Sequence, residues 1–218
     1  MNAYTSIADR LKLPTGIFVD GGYRSAANGK TFETKNPYNS EVIASLPACD
    51  GADVDAAVAS AKAAFESCVW SDLHPSERKV VLGKLADLIM ENVEELAVME
   101  ALDAGKPVTD CLEIDVPETA NCIRWHGEAQ DKLYDQIAPS APDAVALIVR
   151  EPVGVVAAVL PWNFPLMMMA WKIGPALATG NSVVVKPAED TSLTSLRLAE
   201  LAVEAGVPPG VMNVVTGM

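Results

Sequence analysis

The stretch VGVVAAVL at residues 153–160 is a continuous run of eight apolar residues, which is typical of a parallel strand buried on both faces. Four segments of alternating type follow it. Residues 166–178 have the pattern of a helix, 182–185 of a short apolar strand, 193–205 of a second helix and 211–215 of a third strand. Because crossovers between parallel strands are right-handed, this order predicts an α/β fold with an open parallel sheet, half of a doubly wound arrangement.

The region before this unit is predicted to consist of short strands and then helices. Alternating apolar residues that end at Asp-Gly and Asn-Pro turns favour the strands, and apolar residues spaced three and four apart favour the helices. The predicted strands are 17–19, 31–35 and 41–46, and the predicted helices are 54–65, 75–89, 93–103 and 118–133.

The first predicted helix, residues 54–65, has a regular apolar stripe. Its apolar residues recur at three- and four-residue spacing, which is typical of an amphipathic helix packed on a core. We expect its buried face to consist of Val54, Ala57, Val58, Ala61 and Phe65.

Residues 134–150 differ from the helical region before them. Their pattern is extended, and the turn PSAP at 139–142 divides it into two strand-like pieces. We therefore expect a hairpin that leaves the main body of the fold.

The composition argues against several classes of protein. Half of the residues are hydrophobic and the mean hydropathy is +0.20, so the chain can bury a core and is not of a disordered or low-complexity type. Lys and Arg number 16 against 29 Asp and Glu, a net charge of −13. This charge repels phosphate backbones and anionic membrane surfaces, so we expect no nucleic-acid or membrane partner.

The start of the chain and its cysteines predict a cytoplasmic protein. Residues 1–10 show no basic segment followed by an apolar one, so they predict no secretory signal. The four cysteines form no C-x-x-C pair and are too few for a disulfide scaffold, which predicts reduced thiols.

The apolar stretch 153–171 approaches the length of a membrane span. Pro161, Asn163 and Pro165 lie at its centre, where a spanning helix would lose backbone hydrogen bonds that lipid cannot replace. We therefore interpret the stretch as a buried strand, a turn and a buried helix.

Two polar clusters directly follow predicted strands, at the carboxyl ends where open parallel sheets bind ligands. The first is PWNFP at 161–165. The carboxamide of Asn163 could donate a hydrogen bond to developing negative charge, as in an oxyanion hole. It could also cap the following helix by accepting a backbone N–H, and the local sequence leaves both interpretations open.

The second cluster is KPAE at 186–189, after the second strand. The ammonium of Lys186 and the carboxylate of Glu189 could bind the hydroxyls of a ribose, and a carboxylate would repel a 2′-phosphate. The other interpretation is an exposed salt bridge at a strand end. The fingerprint G-x-G-x-x-G is absent from the three strand ends, so no conventional Rossmann pyrophosphate site is predicted.

Further segments that belong with these clusters are REPVGV at 150–155, PALATGN at 175–181, LDAGKP at 102–107 and Asn36-Pro37. Together they resemble the NAD(P)-dependent aldehyde dehydrogenase superfamily, in its order and spacing, from about residue 17 to residue 217. The resemblance implies the N-terminal part of that fold: a Rossmann-type parallel sheet with helices on both faces and a protruding oligomerisation hairpin.

The resemblance also implies a division of the chain into three regions. Residues 1–133 would be the N-terminal strands and helices of the coenzyme domain, 134–150 the oligomerisation hairpin, and 151–218 the first half of the NAD-binding unit. The family's catalytic domain would lie outside these regions.

Site roles follow from the resemblance residue by residue. Asn163 would be the side-chain donor of the oxyanion hole, and Lys172, one turn along the helix from it, a member of a proton relay. Lys186 and Glu189 would bind the adenosine ribose of NAD. The remaining residues would line the cofactor cleft (Leu160, Pro161 and Trp162) or face the substrate tunnel (Met168 and Trp171, for which core packing is the alternative).

The implied activity is NAD-dependent oxidation of an aldehyde to a carboxylic acid by a homo-oligomer. The helix at 123–125 and the hairpin favour the branch acting on aminoaldehydes, such as γ-glutamylaminobutyraldehyde or betaine aldehyde. The family's nucleophile is a cysteine thiolate, and we expect none of Cys49, Cys68, Cys111 and Cys122 to be it. The alternative is a non-catalytic nucleotide-binding or oligomerisation module built on the same fold.

Overall fold

The predicted strands and helices occur in the predicted order in the computed structural model, which describes residues 3–218. The strands are β1 (Ile17–Val19), β2 (Gly22–Arg24), β3 (Thr31–Lys35), β4 (Val42–Pro47), β5 (Gln136–Ala138), β6 (Ala146–Ile148), β7 (Val155–Val159), β8 (Ser182–Lys186) and β9 (Met212–Val214). The helices are α1 (Ala3–Ala8), α2 (Gly51–Glu66), α3 (Pro75–Glu91), α4 (Val93–Ala104), α5 (Val108–Asp110), α6 (Val116–Ala129), α7 (Pro165–Ala178) and α8 (Leu193–Ala205).

The main sheet has the strand order β2-β1-β9-β8-β7. The pairs β7–β8 and β8–β9 are parallel, with α7 and α8 as their crossovers, so the predicted β-α-β-α-β unit is confirmed. The sequence patterns did not show that β1 joins this sheet. It pairs antiparallel with β9, at Phe18 and Val214, and extends the sheet into the β1–β2 hairpin.

The expectation that 153–160 is buried on both faces is wrong for the part of the chain described. Strand β7 lies at the edge of the sheet and pairs with β8 alone among residues 3–218. Within it Ala158 is buried, whereas Val159 is 73% exposed. An apolar run indicates that its residues suit the interior of a sheet. It does not indicate whether the strand has a neighbour on one side or on both.

Alternate residues of β8 contact helices on opposite faces of the sheet, as the period of two requires. Val183 and Val185 point into the larger core, formed with α3, α6, α7 and α8. Val184 points to the other face, where it packs with Ala57 and Ala61 of α2.

The predicted buried face of α2 is partly wrong. Ala57, Ala61 and Ala64 are buried, but Val54 and Val58 are each 41% exposed and Phe65 is only partly buried. The contact with β8 and β9 is centred on the alanines, because their small side chains let the helix approach the sheet closely.

The helix predicted at 118–133 begins earlier, since helical backbone runs from Val108 through α6 to a 3-10 turn at Gln130–Lys132. A π-helical turn at Cys111–Asp115 ends two residues before Pro117, and the Val116 N–H donates to the Cys111 carbonyl five residues back. The widened turn accommodates a proline that lacks an N–H.

The hairpin predicted at 134–150 is present. Strands β5 and β6 are antiparallel with Ile137 opposite Leu147, and they form a sheet of their own. Both of those side chains are exposed, at 76% and 63%.

None of the helices described within residues 3–218 combines the length and the apolar character needed to span a bilayer. The apolar stretch 153–171 is divided between β7 and α7 by the turn that joins them.

Candidate functional site at the carboxyl ends of the parallel strands

The two polar clusters lie side by side. Strand β7 ends opposite the end of β8, with Val159 paired to Lys186. The Leu160 N–H then donates to the Lys186 carbonyl at 3.0 Å. Because the strands are parallel, the turns that follow them leave the sheet at the same rim, where such sheets bind ligands.

Asn163 does not cap α7. The N-cap residue is Phe164, which follows it, and that helix start has no side-chain capping hydrogen bond. The Asn163 side chain is exposed and makes no hydrogen bond to another described residue. The capping interpretation is therefore wrong, and the carboxamide is available as a donor at the rim.

Lys186 and Glu189 form an ion pair, with Nζ and Oε2 3.2 Å apart. The backbone N–H of Glu189 and then the Lys186 ammonium lower the pKa of the Glu189 carboxyl. Its side chain is 49% exposed, so a charged carboxylate faces solvent at the rim. An exposed pair of this kind contributes little to stability, and the contact itself is compatible with both interpretations of this cluster.

The three residues expected to line a cofactor cleft differ in their exposure. The Leu160 side chain is 5% exposed and belongs to the core, so it can face a cleft only through its backbone. Pro161 and Trp162 are exposed. Trp162 borders a cavity of about 370 Å³ whose other walls include Pro37 and Asp103.

Met168, Trp171 and Lys172 lie on one stripe of α7, at spacings of three and four residues. Trp171 is 54% exposed, so core packing is wrong for this residue. Met168 is partly buried, whereas its neighbour Met169 is in the core. Lys172 is exposed and lies two turns into the helix, about 10 Å from its start, rather than one turn from Asn163.

Three of the four cysteines have surroundings that disfavour the thiolate. Desolvation raises the pKa of the Cys49 and Cys122 thiols, and it raises that of Cys111 to about 12. A raised thiol pKa lowers the fraction of reactive thiolate. Cys68 is exposed just beyond the end of α2, the helix on the opposite face of the sheet from α7.

Sequence reasoning missed the acidic residues behind the rim, on α4 and the π-helical turn. Glu100, Asp103 and Asp115 are all buried. Desolvation, followed by the charge of Asp115, raises the pKa of Glu100 to about 8, and desolvation raises that of Asp103 to about 6. Charged residues on the apolar face of a helix were the available signal.

Glu100 and Asp103 hold the start of α8. An Asp103 carboxylate oxygen accepts from the Leu193 N–H at 3.0 Å, and the other accepts from the Thr34 hydroxyl at 2.6 Å. Glu100 accepts from the Thr194 hydroxyl at 3.1 Å, while its second oxygen has no partner among the described residues. These buried hydrogen bonds fix the start of α8 against α4, behind the rim.

Comparisons with known proteins identify similar sequences and similar structures. The aminoacetaldehyde dehydrogenase of Pseudomonas aeruginosa is 58% identical over 214 residues, which are 98% of this chain and 43% of that protein. A γ-glutamyl-γ-aminobutyraldehyde dehydrogenase from Burkholderia cenocepacia superposes with a TM-score of 0.97 at 50% identity, over 98% of this chain and 43% of that one. An indole-3-acetaldehyde dehydrogenase in complex with NAD+ gives the same four values.

The chain therefore spans less than half the length of these relatives. Its similarity to the aminoaldehyde branch, expected from the sequence, is confirmed. The model of the aldehyde dehydrogenase family matches residues 23–218, and this chain belongs to that family.

Proposed function

We propose that this chain supplies part of the coenzyme site and the oxyanion donor of an NAD-dependent dehydrogenase that oxidises an aminoaldehyde to a carboxylic acid. The family membership, the NAD+ complex of one similar structure and the name of the 58% identical relative support this proposal. The observation that carries it is the Leu160–Lys186 hydrogen bond, which places the two clusters at one rim.

The residues at the rim fit a dinucleotide. Glu189 presents a charged, half-exposed carboxylate that can accept from ribose hydroxyls, and Lys186 beside it can donate to them. Pro161, Trp162 and the backbone of Leu160 would form the wall nearer the nicotinamide ribose. These residues would hold NAD, which would supply the hydride acceptor for the oxidation.

Asn163 would stabilise the negative charge that develops on the aldehyde oxygen. Its carboxamide is exposed and already free of helix capping, so it donates without first giving up a bond to another described residue. Preorganised donors of this kind are worth several kcal/mol in the transition state.

The exposed stripe of α7 would face the substrate. Trp171 and the partly buried Met168 offer apolar surface, and Lys172 beside Trp171 would take part in moving a proton. Lys172 lies two turns from the start of the helix, which supports a proton path along α7 rather than one at Asn163 itself.

Glu189→Gln tests the coenzyme assignment. Removing the charge should weaken NAD binding and relax discrimination against NADP, because the carboxylate no longer repels a 2′-phosphate. Calorimetric titration of the protein with NAD and with NADP measures both effects. We expect the Kd for NADP divided by the Kd for NAD to fall about tenfold or more in the variant.

Glu204→Gln is the matched control, because Glu204 is an exposed carboxylate at the other end of α8. Unchanged affinities for both coenzymes in Glu189→Gln would contradict the ribose assignment. Tight NAD binding without turnover of aminoacetaldehyde would instead favour the non-catalytic nucleotide-binding module.

We further propose that residues 134–150 form an interface between copies of this chain. In sequence this hairpin separates the coenzyme-domain region at 1–133 from the nucleotide-binding region at 151–218. The hairpin exposes Ile137, Leu147 and Ile148 to solvent. A two-stranded hairpin is marginally stable by itself, and large exposed apolar patches mark interaction surfaces.

A further inference from the structure

The segment after α4 brings Lys106 and Asp115 together below the rim. Gly105 ends α4 with φ at +70°, and a Cβ there would lie 2.5 Å from Pro37 Cγ. Only glycine fits this close approach, and it sets the direction in which the chain leaves the helix. The π-helical turn then carries Asp115 to Lys106, and the two side chains form an ion pair.

This ion pair is shielded from water. The Asp115 side chain is 2% exposed and that of Lys106 18%, so the ammonium has little freedom to move. A buried pair of charges is costly to separate, because breaking it leaves one charge unpaired in a medium of low polarity. The position of the Lys106 ammonium is therefore well defined.

The Lys106 ammonium also lies over the Phe164 ring, 3.9 Å from its centroid. This distance is well within the range of a cation–π interaction. Phe164 is the N-cap residue of α7 and directly follows Asn163, and that helix start has no side-chain capping hydrogen bond. The cation–π contact thus anchors a turn that has no capping side chain.

We propose that Lys106 is a positioning residue, which acts through the Phe164 ring to hold the turn that presents Asn163. Asp115 fixes the ammonium, the ammonium fixes the ring, and the ring fixes the backbone on either side of it. The inference rests on the proposed oxyanion role of Asn163, but its physical part, the order of the turn, can be measured separately.

The variant to make is Lys106→Met with Asp115→Asn, in the full-length protein. This pair removes both charges at once, so neither is left buried without a partner, and it keeps the side-chain volumes similar. Lys106→Arg is the conservative variant, which retains the cation and the ion pair. Lys79→Met with Asp131→Asn is the matched control, because those residues form an ion pair at 3.3 Å that is much more exposed.

Two readouts are needed. The first is hydrogen exchange of the Met168 amide, which donates to the Phe164 carbonyl at 2.9 Å and reports on the turn without any turnover. We expect it to exchange about tenfold faster in the double variant. The second is steady-state kinetics, in which kcat should fall about tenfold while the KM for NAD stays within about twofold. Lys106→Arg should leave the Met168 exchange rate and kcat close to those of the parent, and the Lys79 control should change neither.

Unchanged exchange at Met168 would overturn the proposal, whatever the kinetics show. Faster exchange with unchanged kcat in the double variant would also overturn the proposal if Asn163→Ala has a lowered kcat. In that case Asn163 would act in the reaction without needing the turn to be held by Lys106. If Asn163→Ala retains full kcat as well, the proposed function fails and not only the role of Lys106.

Discussion

At the scale of single residues, the Asn163 side chain is available for chemistry because it does not cap the helix that follows it. The helix that follows it starts at the next residue but one, and its N-cap position belongs to Phe164. The carboxamide is therefore exposed at the rim, next to the turn that carries Lys186 and Glu189.

Asn163→Ala should lower kcat about a hundredfold or more, as the loss of an oxyanion donor does, with little change in the KM for NAD. Steady-state kinetics with an aminoaldehyde substrate would measure both quantities. Asn121→Ala serves as the control, since Asn121 is also exposed and lies on α6. An unaltered kcat in Asn163→Ala would remove this residue from the reaction.

The residues that could be predicted from the sequence are those next to a strand end. Lys186 lies at the end of an apolar strand, and Asn163 and Glu189 lie a few positions after one, so their place at the rim follows from the chain order alone. Glu100 and Lys106 could not be found in this way. Glu100 contacts Thr194 and Lys106 contacts Phe164, and both contacts join residues far apart in the sequence. Local sequence patterns cannot predict such contacts.

At the scale of elements, the order of the predicted helices and strands followed from periodicity, whereas some of their bounds and the faces they bury did not. Helix α8 has the bounds that its pattern predicts, because Gly206 in the left-handed region ends it. Helix α2 buries alanines and exposes Val54 and Val58. Periodicity locates a stripe, but the partner surface decides which side of the stripe makes the contact.

The hairpin carries the prediction that belongs to this scale. Leu147→Lys places a charge in the middle of β6, opposite Ile137, so it should shift the protein towards smaller assemblies. Sedimentation velocity at several protein concentrations would show the change. Val80→Lys is the matched control, because Val80 is an exposed apolar residue on α3. An unchanged distribution for Leu147→Lys would exclude the hairpin as the interface.

At the scale of the whole molecule, the buried carboxyl of Glu100 couples global stability to pH. Its pKa is about 8 in the folded chain against an ordinary value of 4.5. Between these two values the folded chain keeps a proton that the unfolded chain releases. The free energy of unfolding therefore decreases as pH rises through this window and becomes level above pH 8, as far as this group determines it.

Glu100→Gln should remove this dependence. The variant should become more stable relative to the parent as pH rises from about 5 to 8, by about 5 kcal/mol at most. Urea denaturation of both proteins at several pH values measures the difference, in which the groups that do not interact with Glu100 cancel. Glu204→Gln, at an exposed site, should follow the parent at every pH. Parallel curves for Glu100→Gln and the parent would show that Glu100 titrates normally in the folded state.

The pairing of Phe18 with Val214 joins residues about 200 positions apart within one sheet. During synthesis at about 5–20 residues per second, β1 therefore waits about 10 to 40 s before its partner strand exists. Ile17, Phe18 and Val19 are all buried in the final fold, so for that interval an apolar strand has no native neighbour on one side. Within the described sheet the pairing of β1 with β9 therefore forms late, and we expect the apolar strand to be prone to aggregation until then.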